Sequence, residues 1–256
     1  MPPRPRSLRY EYELHVEAEI ENYKESIPRH VLLGIGDEAV AALEREAQLS
    51  LTEMLLCEEV DRIIFRRLRL PSYATWRRRR VKAAAELRRP ERWGLSADAP
   101  VVRTVVQSAD GSVLVAGRGT ENSVLYLAAH GCDVLTIGGE EDVMARVLSQ
   151  AEAAGLSAHV HALGGTLGSF TPDAPLRAVV CSLSALAALS KSERARAIAM
   201  LQRATADGGI HLVEGVVAGR STRVLDELMS SYPAGWRVSM EGEPGQGTMV
   251  AWKEVA

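Results

Sequence analysis

The residues with the clearest chemical signature in this sequence form a glycine-bearing turn between an apolar run and a helical pattern. Val113–Leu127 reads VLVAGRGTENSVLYL, so Gly117 and Gly119 follow a β-branched run, and Thr120 and Glu121 precede a helical pattern. Glycine lets a backbone turn tightly and approach a ligand, and the free N–H groups at the start of a helix bind anionic or polar groups. At the first strand-to-helix turn of an alternating pattern, such a loop predicts a nucleotide-type site.

This loop and the chain around it resemble the first motif of class I S-adenosylmethionine methyltransferases. That motif is a strand, D-x-G-x-G-x-G, a helix and a second strand ending in an acid, and here it extends to Val134. The sequence is most similar to small-molecule methyltransferases of the tellurite- and thiopurine-handling type. The similarity covers about residues 105–256, including DGGIHLVEG at Asp207–Gly215 and a closing hairpin. It implies a Rossmann-like methyltransferase fold with S-adenosylmethionine bound by Gly117, Gly119, Thr120, Glu121, Gly138, Glu140 and Ser182.

The acidic residues that hold the cofactor in active members of that family are missing here. Val115 stands where an acid holds the methionine end, and Glu121 replaces the third glycine of the loop. Gly138 stands where an acid binds the ribose hydroxyls, and Leu163 or Gly164 stands where an acid binds the adenine amino group. Arg177 stands where an aspartate commonly opens the fourth strand. A hydrogen bond to a charged group contributes roughly 1.5–3 kcal/mol, so the loss of three weakens cofactor binding by orders of magnitude.

Two interpretations of function follow. In the first, the protein is a pseudo-methyltransferase that binds no cofactor and serves as a binding or scaffold protein. In the second, it is an active S-adenosylmethionine-dependent methyltransferase acting on a small molecule through an atypical cofactor site. The second interpretation needs Glu140 or Glu141 to reach the ribose, or Glu121 to bind the methionine ammonium. We favour the first because so few acids remain.

Other polar residues lie at or near the ends of predicted strands. Glu214 follows an apolar run at its carboxyl end, where ligands of open α/β sheets bind, and is the one candidate for a general base or a substrate-ammonium ligand. His211, inside that run, is predicted to be a hydrogen-bonded core histidine. Ser182 and Ser184 end the fourth strand, where methyltransferases place substrate-side residues, although a strand-terminal turn explains them as well.

The sequence gives little indication of a metal site, a disulfide framework or membrane association. His159 and His161 alternate on a predicted strand and share a face, but no third ligand lies at a recognisable spacing, so no metal site is predicted. The cysteines, Cys57, Cys132 and Cys181, are too few for a disulfide framework. No apolar run approaches the roughly 18 residues of a spanning helix, and the amino terminus lacks an apolar signal core. These features predict a cytoplasmic protein that does not associate with membranes.

Charge is divided unevenly along the first hundred residues. The net charge is -3, yet Glu11–Asp61 contains fourteen acidic and three basic residues, and Arg62–Arg92 contains twelve basic and two acidic residues. The simplest explanation is that acidic helices lie beside basic ones. The run Arg77–Arg80 would nevertheless spread around most of a helix, so some of its arginines must face solvent. Arg77–Arg89 is therefore a candidate surface for a protein or nucleic-acid partner, in which bases could stack on Tyr73, Trp76 and Trp93.

The elements that position these residues fall into two predicted regions. Residues 1–97 form a helical N-terminal region, and residues 98–256 form a methyltransferase-type Rossmann domain, α/β in class, with a mostly parallel sheet. The helical region is predicted to contain Leu8–Ile27, a helix from the N-cap Asp37 to about Leu70, and Tyr73–Arg89. The predicted strands are Val101–Val106, Val113–Ala116, Val134–Ile137, His159–Ala162, Ala178–Leu183 and Ile210–Val217. The predicted helices are Asn122–Ala129, Glu140–Ala154, Lys191–Ala206 and Ser221–Ser230, followed by an antiparallel hairpin of Trp236–Met240 and Thr248–Trp252.

Overall fold

The computed structural model describes residues 7–45, 53–106, 111–138, 140–216, 220–241 and 246–255. The chain divides into two compact units, Met1–Ala83 and Ala84–Ala256. The domain boundary expected after residue 97 stays a prediction, although Trp93 and Leu95, which precede it, pack against the core of the second unit.

Helices make up the described part of the first unit. They are α1 (Leu8–Ser26), α2 (Arg29–Arg45), α3 (Glu53–Leu68) and α4 (Tyr73–Leu87), the last of which ends in the second unit. The hydroxyl of Ser7 caps α1 by accepting the N–H of Tyr10 at 3.2 Å. Helices α1 to α3 share a core of apolar side chains: Ile20, Ile35, Ala39, Ile63 and Ile64.

The predicted start of the second helix at Asp37 is wrong. Helix α2 begins at Arg29, directly after Pro28, whose carbonyl accepts the N–H groups of Val31 and Leu32. Gly34 and Gly36, which precede Asp37, lie inside the helix, at a cost of about 1 kcal/mol each relative to alanine. Burial of the apolar face of α2 offsets that cost. Residues 46–52 of the predicted helix lie outside the described residues.

A seven-stranded sheet forms the centre of the second unit. Its strands are β1 (Ser112–Ala116), β2 (Asp133–Ile137), β3 (Val160–Leu163), β4 (Leu176–Ser182), β5 (Thr205–Val216), β6 (Trp236–Glu241) and β7 (Gln246–Lys253). The order is β3-β2-β1-β4-β5-β7-β6, with β1 to β5 parallel and β7 antiparallel to both β5 and β6. The predicted fold class and the closing hairpin are confirmed, although residues 242–245 of its turn lie outside the described residues.

Helices cover both faces of this sheet. They are α5 (Glu121–Ala129), α6 (Glu141–Ala153), α7 (Leu183–Ala187), α8 (Lys191–Ala204) and α9 (Arg220–Ser230). Because side chains alternate along a strand, Val113 and Val115 pack against α5 and α6, whereas Leu114 packs against α7 to α9. Helix α7 was not predicted. Among the helices of the described residues, none is long and apolar enough to cross a membrane.

The predicted strand at residues 101–106 is also wrong, because Val101–Val105 forms a helical turn. Pro100 precedes this turn with helical backbone angles, and Val101 and Val105 lie one turn apart with both side chains buried in the sheet core. A short run of β-branched residues fits a buried helix as well as a buried strand, so the sequence pattern alone did not separate the two.

Candidate functional site

The carboxyl ends of the parallel strands form the edge of the sheet at which the predicted site residues meet. Strand β1 ends at Ala116 between β2 and β4, and the connections on its two sides run to opposite faces of the sheet. Ligands of open α/β sheets bind at such a reversal of strand order. Gly117, Gly138 and Ser182 all lie at this edge, as the sequence predicted.

Gly117 turns the chain out of β1 in close contact with the start of α7. Its φ is +100°, and its N–H donates to the carbonyl of Ile137 at 3.1 Å. A Cβ at this position would collide with the Oγ of Ser182 and lie 2.7 Å from the Cβ of Ala185. Packing inside the protein therefore requires glycine here, independently of any ligand.

Gly119 faces open space, but its N–H group is already used. Its φ is +82°, and a Cβ there would meet nothing within 4 Å. The N–H of Gly119 donates to Oε1 of Glu121 at 3.0 Å. Because Glu121 is the first residue of α5, its carboxylate also lies at the positive end of the helix dipole. Glu121 thus folds back on the loop and takes the place of an external anion.

The two hydroxyl groups predicted to bind cofactor are also used within the protein. Thr120 is buried, and its Oγ1 donates to the carbonyl of Gly117 at 2.8 Å. Ser182 is the N-cap of α7, and its Oγ accepts the N–H of Ala185 at 3.3 Å. The Oγ atoms of Ser182 and Ser184 lie 3.0 Å apart. Ser182 therefore has a structural role at the end of β4, and its contact with a substrate or cofactor stays a prediction.

At the end of β2, the predicted ribose site contains an ion pair. Gly138 has a φ of +79° and no side chain to offer a ligand. Glu140 is the N-cap residue of α6, and its Oε1 lies 2.6 Å from a guanidinium nitrogen of Arg118 in the glycine loop. Both side chains are exposed, so this pair contributes only about 0–1 kcal/mol to stability. It nevertheless places the guanidinium of Arg118 beside the carboxylate that would have to bind the ribose hydroxyl groups.

Positions at which the resemblance places acids carry no carboxylate in the structure. Val115 is fully buried in the sheet core, where it pairs with Thr136 on β2 and Val180 on β4. Leu163 ends β3 half-buried. Arg177 lies near the opposite, amino-terminal edge of the sheet, where it donates to the carbonyl of Asp207 at 3.1 Å.

Glu214 lies at this edge, and no cation among the described residues compensates its charge. It lies in β5 between Ser182 of β4 and Thr248 of β7 in the strand register, and it is half-buried. Its side chain forms no hydrogen bond or ion pair with any residue that the structure describes. Burial raises its pKa above the usual value of a glutamate. A half-buried acid with a raised pKa at this edge has the properties of a general base or of a ligand for a cation.

His211 is a core histidine, as predicted. The hydroxyl of Thr205 donates to the carbonyl of Leu201, so Nε2 of His211 donates to Thr205 Oγ1, with 2.7 Å between them. Nδ1 of His211 then accepts the hydroxyl of Tyr232 at 2.8 Å. Burial, together with the charge of Lys253, lowers the pKa of His211 to about 3. The ring is therefore neutral and fully hydrogen-bonded, and it serves the core of the sheet.

His159 and His161 do not share a strand face, so that expectation is wrong. His159 belongs to a short helical turn, Ser157–His159, and β3 begins after it. Nε2 of His161 lies 2.8 Å from Oδ1 of Asp133 on β2. Within the described ranges, no three His, Cys, Asp or Glu side chains come together as metal ligands would.

Sequence reasoning missed two residues of this edge, Arg118 and Thr248. Arg118 stands between the two glycines of the loop, but Glu140 lies 22 positions further along the chain, so no local pattern in the sequence indicated their ion pair. Thr248 becomes a neighbour of Glu214 only through the pairing of β5 with β7, which depends on the sheet topology.

Several solved structures of other proteins match part of this chain. No protein-family model matches the sequence, and no curated protein does. A candidate rRNA-methylase from Clostridium thermocellum matches 59% of this chain and 92% of its own length, with a TM-score of 0.51 and 14% identity. The CcbJ methyltransferase from Streptomyces caelestis matches 60% of this chain and 88% of its own length, with a TM-score of 0.51 and 12% identity.

At these identities the likeness concerns the fold. The strand order, the antiparallel β7 and the glycine loop after β1 agree with that likeness. The second unit of this chain therefore has the Rossmann-like fold of the class I methyltransferases.

Proposed function

We propose that this chain is a methyltransferase-fold protein that does not bind S-adenosylmethionine and serves as a binding or scaffold protein. The observation that carries the proposal is the hydrogen bond from the Gly119 N–H to the Glu121 carboxylate at the start of α5. An internal carboxylate there occupies a donor that the loop would otherwise present to a ligand.

The missing acids support the same conclusion. S-adenosylmethionine carries an ammonium group, a sulfonium and two ribose hydroxyls, and these groups need nearby acceptors. Val115 lies in the core, and Gly138 offers only backbone. Each lost charged hydrogen bond costs roughly 1.5–3 kcal/mol, so a site of micromolar affinity that loses about 4 kcal/mol becomes a millimolar one.

Three glutamates could replace these acids, and two of them have partners in the protein, whereas Glu141 is exposed at the start of α6. Glu121 binds the loop backbone, and Glu140 pairs with Arg118. A ligand could displace Arg118 from this exposed pair at little cost, but the guanidinium would then remain close to a cationic cofactor. The loop therefore favours neither the charge nor the hydroxyl groups of the adenosyl ligand.

Calorimetric titration of the full chain with S-adenosylmethionine and S-adenosylhomocysteine tests the proposal. We expect no saturable heat at micromolar ligand, and we expect the same result for Glu121→Gln, which keeps the shape of the side chain. An active class I methyltransferase titrated in the same buffer is the positive control. Micromolar affinity for either ligand would overturn the proposal.

An active methyltransferase with an atypical cofactor site is the second candidate function. Glu214 favours it, because a half-buried acid without a partner among the described residues suits a general base or a substrate ammonium. Under this second function, the protein would be a methyltransferase of the tellurite- and thiopurine-handling type, with a small molecule as its substrate. Micromolar cofactor binding that is lost in Glu140→Ala, with methyl transfer lost in Glu214→Gln, would support it.

A cytoplasmic location remains part of either proposal. The three cysteines form no disulfide, and Cys132 and Cys181 are buried. Thiols are kept reduced in the cytoplasm, so this composition fits that compartment.

A further inference from the structure

Helix α4 carries a group of cationic side chains exposed to solvent. We call Arg77, Arg78, Arg79 and Lys82 the basic segment. All four residues are exposed, and no residue of α4 is buried. A helix of this kind adds little to a hydrophobic core, so its sequence is free to serve another purpose.

The charges of the basic segment are not neutralised by the acidic helices. Neighbouring bases do pair, as Lys24 does with Asp61 at 2.7 Å and Arg67 does with Glu38. On α4 itself, Arg80 lies 3.6 Å from Glu11. Within the described part of the chain, no carboxylate lies within 4 Å of a cation of the basic segment. The expected intramolecular pairing of acidic and basic helices therefore holds for α3 and fails for this segment.

Aromatic residues that flank the basic segment in the sequence make contacts within the protein. The rings of Tyr73 and Trp76 each lie 5.5 Å from the ring of Tyr12, and both residues are half-buried. Trp93 donates from Nε1 to the carbonyl of Leu87 at 2.7 Å and packs against the sheet core. The expectation that these rings stack on bases is not supported, which leaves contact with phosphates.

The arrangement of the cations fits the major groove of a nucleic-acid duplex and does not fit a membrane surface. Successive residues of a helix are 100° apart, so Arg77, Arg78 and Arg79 lie on different sides of α4. The major groove of B-DNA is about 12 Å wide, close to the 10–12 Å diameter of a helix, and has a phosphate backbone on each side. A membrane would require an apolar face, and between Arg77 and Lys82 only Val81 is apolar.

We propose that the basic segment binds duplex DNA through its phosphates, without reading the base sequence. This interaction is independent of the cofactor crevice and persists whether or not the chain binds S-adenosylmethionine. Four phosphate contacts predict a slope of about -3.6 for log K against log salt concentration. Affinity should therefore fall roughly 100-fold between 50 and 200 mM salt.

Fluorescence anisotropy of the full chain with a labelled 20-base-pair duplex measures this slope. In the variant Arg77→Ala, Arg78→Ala, Arg79→Ala, Lys82→Ala, we expect binding at 50 mM salt to weaken at least 10-fold and the slope to approach zero. Alanine is the best helix former, so circular dichroism should show α4 intact. A variant with Arg77, Arg78 and Arg79 all changed to lysine keeps the charge and should keep most of the binding.

The matched control removes four exposed arginines of the second unit, Arg146, Arg196, Arg203 and Arg223, for the same change in net charge. It should bind the duplex like the unaltered chain. The proposal fails if the alanine variant of the basic segment binds as the control does, or if two unrelated duplex sequences differ more than 10-fold in affinity. It also fails if poly-glutamate or anionic phosphatidylserine vesicles bind more tightly than the duplex at the same salt concentration.

Discussion

At the level of single residues, the loop between β1 and α5 satisfies its own polar groups. Glu121 accepts the N–H of Gly119, Thr120 donates to Gly117, and Arg118 pairs with Glu140. Each of these contacts uses a group that a ligand at this edge of the sheet would need. A ligand must therefore displace internal partners before it gains any of its own.

Glu214 provides a prediction at the same scale. Its folded-state pKa is raised by burial, so its carboxyl group destabilises the folded chain as pH rises through that value. Glu214→Gln should therefore increase the free energy of unfolding at pH 7, by about 0.5–1 kcal/mol, with no increase at pH 4. Urea unfolding at the two pH values measures the difference.

Glu227→Gln is the control of opposite sign. Hydrogen bonding to Arg194 holds the pKa of Glu227 below its usual range, so this substitution should destabilise the folded chain at pH 7. If Glu214→Gln also destabilised the chain at pH 7, Glu214 would have a structural partner, and its role as a site residue would have to be abandoned.

At the level of elements, the two glycines of the loop should differ in their tolerance of substitution. A Cβ on Gly117 would collide with Ser182, whereas Gly119 has open space. Both have positive φ, which costs an alanine on the order of 1 kcal/mol. Gly119→Ala should therefore destabilise the chain by about 1 kcal/mol, and Gly117→Ala by roughly 3 kcal/mol or more.

Thermal or urea unfolding of the two variants tests this difference. Circular dichroism of each variant before unfolding controls for a change of fold. Equal effects of the two substitutions would show that Gly117 does not pack against the start of α7.

Most helices and strands could be predicted from local sequence patterns. Each prediction that failed has a physical reason. Strand β2 was predicted to within one residue, because alternating burial and flanking glycines are local signals. The turn at Val101–Val105 and the start of α2 were missed because tertiary burial outweighed the local preferences of valine and glycine. His159 left its predicted strand because the chain enters β3 through a helical turn.

The site itself was predictable as a set of positions and not as a set of contacts. The spacing of Gly117, Gly119 and Gly138 placed these residues correctly at the ends of β1 and β2. The contact of Gly117 with Ser182 joins residues 65 positions apart, and the Arg118–Glu140 pair joins two loops. Such contacts depend on strand order, which no local pattern encodes.

At the level of the whole molecule, His211 makes the stability of the sheet unit depend on pH. Its pKa is about 3 in the folded chain and about 6.5 in the unfolded chain. A lowered histidine pKa gives stability that is present above about pH 6.5 and is lost as pH falls toward 3. The loss is about 1.4 kcal/mol per pH unit, or about 2 kcal/mol between pH 6.5 and 5.

Urea unfolding of the unaltered chain and of His211→Gln at pH 6.5 and pH 5 isolates this contribution. Glutamine does not titrate, so the variant should lose about 2 kcal/mol less than the unaltered chain over this interval. All other groups titrate in both proteins and cancel in the comparison. An identical pH dependence in the two proteins would show that His211 is not held neutral in the core.

The backbone amide of Gly119 reports directly whether the glycine loop keeps its internal hydrogen bond to Glu121 or binds a ligand. In a nitrogen-15 correlation spectrum of the full chain, millimolar S-adenosylhomocysteine should leave the Gly119 signal unmoved, because its N–H already donates to Glu121. The amides of Gly117 and Gly138 should also stay in place. Saturable shifts of these three signals at micromolar ligand would show that the adenosyl ligand occupies the crevice, and they would contradict the account.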